Sequence, residues 1–209
     1  TDYEAYARRR LDDNAWAYLD GAAADEITRG WNRAAFDQLA LLPRVLADVA
    51  GGHCRTTLLG RQLPSPVLLA PVAWQKIFHS DGELASAYAA SALGAGMVLS
   101  TLSSCGLEEV AAAARQGGEG PRWFQLYLQP EPSLNAELVQ RAEAAGYEAI
   151  VFTVDAPLHG IRNREQRVGF QLPPDIEAVL LRRPQRPDDA AGAARRAHSD
   201  SEKRRQRGP

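Results

Sequence analysis

Four short apolar runs punctuate the middle of the chain: Val67-Leu68-Leu69-Ala70, Met97-Val98-Leu99-Ser100, Trp123-Phe124-Gln125-Leu126-Tyr127 and Ala149-Ile150-Val151-Phe152-Thr153-Val154. Their first residues lie 30, 26 and 26 positions apart. The runs are continuous rather than alternating, the pattern of strands covered on both faces. Helical segments fill the intervals. Ser80-Asp81-Gly82-Glu83 reads as a capping box opening the first. The second spans about Leu107–Arg115, and the third runs from Ser133 to Ala144-Ala145-Gly146, where glycine supplies a C-cap. Strand–helix units at this period predict an α/β fold with a parallel sheet. Two architectures fit, an open doubly wound sheet and a (β/α)8 barrel.

Upstream, Tyr3, Tyr6, Leu11, Trp16 and Leu19 fall near a helical stripe. Gly21-Ala22-Ala23-Ala24 interrupts it, and Asp25-Glu26 precede a second helical stretch reaching Phe36. An irregular segment begins at Pro43 and Asp48 and leads to a small hairpin around Thr56–Leu59 and Gly60–Leu63. Gly94-Ala95-Gly96 precedes a strand, whereas a dinucleotide site needs its glycines after one, at a helix N-terminus. That argues against a nicotinamide-binding fold.

Composition narrows the class. At 209 residues and 45% hydrophobic, the chain can bury one good core. Its 24 basic and 26 acidic residues give a net charge of −2, so no global field favours nucleic acid. Two cysteines, Cys54 and Cys105, exclude a disulfide scaffold and suit a reducing cytoplasm. No apolar run approaches the roughly 18–20 residues of a membrane span, and Thr1-Asp2-Tyr3-Glu4 lacks the layout of a secretory signal. The expectation is a soluble cytoplasmic protein without nucleic-acid or membrane partners. The averages conceal a break. Residues 175–209 contain no Phe, Trp or Tyr and carry 9 basic and 6 acidic side chains, with one apolar patch at Val179-Leu180-Leu181. That composition predicts a disordered tail behind a folded body of residues 1–174.

Ligands of parallel α/β folds lie at the C-terminal ends of the strands. Those ends carry Pro71-Val72-Ala73-Trp74-Gln75, Ser100 to Cys105, Gln125 with Tyr127, and Thr153 with Asp155. Uncharged hydrogen-bonding groups and aromatics suit a flat heterocycle better than a metal; each Ser or Thr alone also reads as a helix cap. Cys105 reads as a packed small residue. His79, Asp81 and Glu83 do not read as a metal set, because the capping box accounts for Glu83. His53 and His159 fall on loops. Trp74 and Leu102 flank the heterocycle face, either shaping a pocket or packing the core.

Eight motifs in one order carry a resemblance: Tyr18-Leu19-Asp20-Gly21, Leu69-Ala70-Pro71, His79-x-x-Gly82-Glu83, Leu107-Glu108-Glu109-Val110, Trp123-Phe124-Gln125-Leu126-Tyr127, Thr153-Val154-Asp155-Ala156-Pro157, Gly160-x-Arg162 and Phe170-x-Leu172-Pro173. Over residues 3–174 the chain resembles the FMN-dependent α-hydroxy acid oxidases and dehydrogenases, which include glycolate oxidase, lactate oxidase and mandelate dehydrogenase. Ala70-Pro71-Val72-Ala73 and Thr101-Leu102-Ser103-Ser104 look most like the hydroxymandelate oxidase branch. The resemblance implies a (β/α)8 TIM barrel, here its first four βα units behind an N-terminal helical segment. It implies FMN as cofactor, with the main chain of Pro71, Val72 and Ala73 along the isoalloxazine and Ser100, Gln125 and Thr153 at its polar edge. It implies a small α-hydroxy acid as substrate, its carboxylate on Arg162 with help from Tyr18 and its hydroxyl near Tyr127. The implied reaction yields a 2-keto acid by hydride transfer to flavin N5.

The family takes its catalytic base from a Ser-Asn-His-Gly-x-Arg-Gln motif. The four histidines here, at 53, 79, 159 and 198, all lie in other contexts. The family's fifth-strand Lys, its second carboxylate-binding Arg and its Gly-rich phosphate loops are likewise not found in these 209 residues. The expectation is a truncated or split barrel whose chain alone is not a competent oxidase. Its partners would be a complementing C-terminal half or further copies of itself. The alternative is a non-catalytic half-barrel that serves as an interaction module.

Overall fold

The computed structural model describes residues 2–156 and 158–182. Three helices lead: α1 (Asp2–Arg8), α2 (Asp13–Asp20) and α3 (Ile27–Asp37). The break between α1 and α2 falls where Asp12 caps a new helix, its carboxylate accepting the Ala15 N–H at 2.7 Å. The hairpin forms as expected, β1 (Thr56–Leu58) against β2 (Arg61–Leu63). Its two turn residues, Leu59 and Gly60, have φ of 49° and 78°. Paired positive φ values match the right-handed twist of the flanking strands.

The four apolar runs become β3 (Leu68–Leu69), β4 (Gly96–Leu99), β5 (Arg122–Leu126) and β6 (Ala149–Phe152). They form one parallel sheet in the order β3-β4-β5-β6. Helices α4 (Gly82–Ala92), α5 (Leu107–Gly117) and α6 (Pro132–Ala144) make the crossovers, and α7 (Asn163–Val168) follows β6. Long chain reversals are needed because parallel strands cannot be joined by tight turns. Leu99, Leu107, Phe124 and Leu138 fill the core between sheet and helices.

Three sequence expectations need correction. First, only the centre of the sheet is covered on both faces. β4 is buried throughout, but Ile150 and Phe152 of β6 are 40% and 51% exposed. Among the described residues β6 pairs only with β5, and β3 only with β4; an apolar run shows what a strand can bury, not what covers it. Second, Val179–Leu181 is not part of a free tail. It forms a 3-10 turn whose Val179 N–H donates to Ser103 O at 3.0 Å, and Leu180 enters the core at 2% exposure. Burial of Leu180, the packing of Val179 and Leu181 beside it and the bond to Ser103 together offset the entropy of ordering the turn. The rest of the expected tail, residues 183–209, lies outside the described residues. Third, Ser80-Asp81-Gly82-Glu83 is not a capping box. Asp81 holds the cap position of α4 without a side-chain bond, and Glu83 turns inward.

Candidate functional site

The sheet register sets the site. Leu99 pairs with Phe124 and Leu126 with Phe152, so the chain leaves β4 at Ser100 beside Gln125 and leaves β6 at Thr153 beside Tyr127. A cleft of about 660 Å³ opens over these strand ends. All nine residues that the resemblance gives as cofactor- or substrate-binding line it: Tyr18, Pro71, Val72, Ala73, Ser100, Gln125, Tyr127, Thr153 and Arg162. Trp74, Leu102 and His159 line it too. A larger groove of about 810 Å³ runs past Asp20 and Arg29, but these two side chains are engaged with each other there.

The polar floor is one connected line. The Gln125 side chain is 1% exposed, and its Oε1 accepts the Thr101 N–H at 3.1 Å and the Ser100 hydroxyl at 3.4 Å. A backbone N–H can only donate, so this contact fixes which end of the amide is oxygen. Nε2 therefore faces the other way and donates to Thr153 Oγ1 at 2.9 Å. The Ser100 hydroxyl accepts the Leu102 N–H at 3.1 Å. Thr101, which the sequence motif names without a role, ties β4 to β5: its hydroxyl donates to Gln125 O at 2.6 Å and accepts the Tyr127 N–H at 3.0 Å. Among the described residues, these bonds leave the second Nε2 hydrogen of Gln125 and the hydroxyl proton of Thr153 without a partner.

The loop after β3 forms the facing edge. Trp74 adopts a left-handed backbone, φ 49°, and donates its N–H to Leu102 O at 3.0 Å. A non-glycine residue in this region costs on the order of 1 kcal/mol and persists where the surroundings fix it. Its indole Nε1 is buried without a partner among the described residues. Val72 and Ala73 likewise make no protein hydrogen bond among them, which leaves main-chain donors and acceptors available at the cleft.

Tyr18 reaches the cleft from α2. Its ring stacks on Phe170 at 5.2 Å and 12° and on Phe78 at 6.1 Å, and tilts against Trp74 at 5.7 Å. Burial pushes its phenol above the usual tyrosine value, Glu165 and Tyr127 push the same way, and Arg162 opposes them. Tyr18 is thus a neutral donor at physiological pH. Arg162 precedes α7, its Nε 4.0 Å from Glu165 Oε1. A side chain at Gly160 would place a Cβ 3.0 Å from Arg162 Nη1, which gives the Gly160-x-Arg162 spacing a steric reason.

Further bonds that the sequence did not reveal hold this wall in place. Arg164 pairs with Asp20 and with Glu26, the latter at 2.5 Å. Asn14 exchanges two 3.0 Å bonds with the main chain of Gln171, and the Ala24 N–H donates to Ile161 O at 2.9 Å. Nothing in local spacing signals these partners. Cys105 is packed at 2% exposure, and burial raises its thiol pKa. Among the described residues no His, Cys, Asp and Glu side chains converge for a metal, and no helix is long and apolar enough to cross a membrane.

Residues 7–208 match the FMN-dependent dehydrogenase family. The chain belongs to that family. It is 48% identical over 194 residues to an L-lactate oxidase of Alicycliphilus denitrificans, covering 92% of this chain and 52% of that protein. It is 42% identical over 173 residues to a glycolate oxidase of Spinacia oleracea, covering 83% of this chain and 46% of that protein. The solved structure of a mandelate oxidase mutant with the C4a-OH-FMN adduct superposes with a TM-score of 0.81 at 40% identity, over 87% of this chain and 54% of that one. The FMN-dependent TIM-barrel fold is thereby established, with FMN as the family's cofactor. The chain spans about half the length of the curated relatives it matches, and the sheet seen here is the corresponding part of that barrel.

Proposed function

We propose that this chain provides the flavin floor and the carboxylate-binding wall of an enzyme that oxidises a small α-hydroxy acid to its 2-keto acid. The observation that carries the reading is the hydrogen-bonded line Ser100–Gln125–Thr153 lying in the same cleft as Tyr18, Tyr127 and Arg162. The donor set fits FMN: a flat ring edged with alternating donors and acceptors matches uncharged side-chain amide and hydroxyl groups together with the unpartnered main chain of Val72 and Ala73. Pro71, Val72 and Ala73 would run along the ring, and Ser100, Gln125 and Thr153 would hold its polar edge. Bound FMN supplies a two-electron acceptor.

The remaining chemistry belongs to the side chains. Arg162 takes the substrate carboxylate bidentately through its Nη atoms, its Nε side being turned to Glu165. Tyr18, kept neutral by burial, adds a hydrogen bond to that carboxylate without adding charge. Tyr127 sits near the substrate hydroxyl, where its own hydroxyl orients the group that loses a proton. Trp74, Phe78 and Phe170 give that side of the cleft an apolar lining. These residues bind and orient; the family's base motif has no counterpart among them.

The test is spectroscopic and kinetic. Purified chain is expected to bind FMN and to shift the flavin absorbance on adding mandelate or lactate, with no steady turnover. A chain that leaves FMN fluorescence unchanged at high micromolar protein would sink the flavin assignment. Steady turnover by this chain alone would sink the assignment of the base to residues outside it.

A further inference from the structure

Glu83 is fully buried in the first turn of α4, and its carboxylate serves neighbouring loops rather than its own helix. Oε1 accepts the N–H groups of Gln75 and Ser104, both at 3.0 Å. Oε2 accepts the Ser104 hydroxyl at 2.6 Å, and that hydroxyl accepts the Lys76 N–H at 3.2 Å. Gly82 makes the approach possible. Its φ is +49°, and a Cβ there would meet Lys76 Cγ at 2.8 Å. One carboxylate therefore joins the loop after β3, which carries Ala73 and Trp74, to the loop after β4, which begins at Ser100.

Burying a carboxylate is costly unless its oxygens are fully engaged, and an apolar residue of similar volume often packs at least as stably. What the carboxylate adds is a fixed separation between two loops. From this geometry we infer that Glu83 is a positioning residue that sets the width of the flavin floor. The inference deepens the FMN reading above and rests on it. Val72 and Ala73 can serve a rigid ring together with Ser100 only while the two loops keep their spacing.

Conservative and non-conservative variants separate the roles. In Glu83→Gln the remaining oxygen still accepts both backbone N–H groups, and the new amide donates to the Ser104 hydroxyl, which has a lone pair to spare; only the Ser104 hydroxyl proton loses its acceptor. Glu83→Ala orphans the N–H groups of Gln75 and Ser104. The full chain in wild-type, Glu83→Gln, Glu83→Ala and Ser104→Ala forms is titrated with FMN by fluorescence quenching. Visible circular dichroism of the bound flavin and amide exchange without FMN are recorded in parallel. Glu83→Gln is expected to stay within about three-fold of wild-type FMN affinity and to keep the flavin dichroism, whereas Glu83→Ala weakens binding by about 30-fold, the scale of orphaned buried donors. Exchange should rise at Gln75 and Ser104 in Glu83→Ala while Leu99 and Phe124 stay protected.

Wild-type affinity and dichroism in Glu83→Ala, or unchanged exchange at Gln75 and Ser104, overturns the inference. Should Glu83→Ala fail to fold, Ser104→Ala decides: about five-fold weaker FMN binding, the scale of one lost hydrogen bond, with faster exchange at Lys76 supports it, and no change in either refutes it. If wild-type chain does not bind FMN, the flavin reading fails on its own, and the exchange comparison still decides whether Glu83 spaces the loops.

Discussion

Tyr18 and Phe170 stack with ring centroids 5.2 Å apart and planes 12° apart, joining the N-terminal helices to the segment that carries Arg162. The phenol points to a region shared with Tyr127, Arg162 and Glu165, so one ring both braces the wall and offers a donor to the cleft. The two roles separate by mutation. Tyr18→Phe keeps the stack and should leave thermal stability within about 0.5 kcal/mol while weakening the binding of a hydroxy acid carboxylate about ten-fold, the value of one hydrogen bond to a charged group. Tyr18→Ala should lose both. Calorimetric melting and substrate-induced flavin difference spectra distinguish them. The raised phenol pKa gives a pH signature: the fold favours the neutral form, so this contribution is complete below the usual value of 10.0 and is lost as pH rises through the folded value. The wild-type minus Tyr18→Phe absorbance difference should show phenolate only above pH 10.0.

Gly160→Ala tests the steric reason for the Gly160-x-Arg162 spacing. The added methyl lies 3.0 Å from Arg162 Nη1, so the guanidinium must shift by a few tenths of an ångström from its place. Substrate affinity should fall about ten-fold, the scale of degrading a bidentate contact to a single one. FMN affinity and melting temperature should stay as in wild type. Arg162→Lys should behave alike or worse, because an ammonium cannot form the planar fork.

Gln125 sits where strand pairing and ligand binding meet. Gln125→Leu keeps the volume but orphans the Thr101 N–H, costing about 1–3 kcal/mol of stability, and removes the donor aimed at Thr153. Both chemical denaturation and FMN titration should register the change. Gln125→Glu should restore the Thr101 bond, and the Thr153 hydroxyl then donates to the second carboxylate oxygen, so that neither the amide donor nor the Thr153 proton remains for the flavin. Stability should then recover more than FMN affinity does.

How much of this was legible in the sequence depends on where the information sits. The strand ends were legible because an apolar run that closes on Ser or Thr, or carries a lone Gln near its end, marks both the strand and its polar end, and the parallel register then brings those ends together. Glu83 was misread because a Ser-x-x-Glu pattern is shared by a solvated cap and by a carboxylate turned inward; only the Gln75 and Ser104 amides, both outside its own helix, decide between them. Arg164, Asn14 and Thr101 carried no local signal, since their partners are remote in sequence. The exposure of Phe152 was invisible for a related reason: strand hydrophobicity does not say which neighbour is present.

Leu180 tests whether the described part of the expected tail belongs to the core. It is 2% exposed among core residues including Leu107 and Leu138. Leu180→Ala should cost about 2–5 kcal/mol, as for other buried leucines. A chain ending at Pro174 should melt correspondingly lower, and an unchanged denaturation midpoint in both would return Val179–Leu181 to the tail.

The ion pairs of Arg164 give the N-terminal wall an acid sensitivity distinct from that of the core. Burial raises the Glu26 carboxyl, but the Ala22 N–H, the Arg164 guanidinium and Arg29 outweigh it, so the group is held below the usual carboxylate value of 4.5. A depressed carboxyl stabilises the fold above its unfolded value, and that stabilisation is lost as pH falls through the folded one. Below about pH 4.5 the contacts of α2 with α7 should therefore loosen, seen as faster exchange of the Ala24 N–H, which is bonded to Ile161 O. Leu99 and Phe124 should stay protected over the same interval. Arg164→Met keeps the aliphatic bulk and removes the charge, so Ala24 should exchange fast at neutral pH and respond less to acid. An Ala24 amide that is equally protected at pH 3 and pH 7 in wild-type protein would show that the Tyr18–Phe170 stack and the Asn14–Gln171 bonds hold the wall without Arg164.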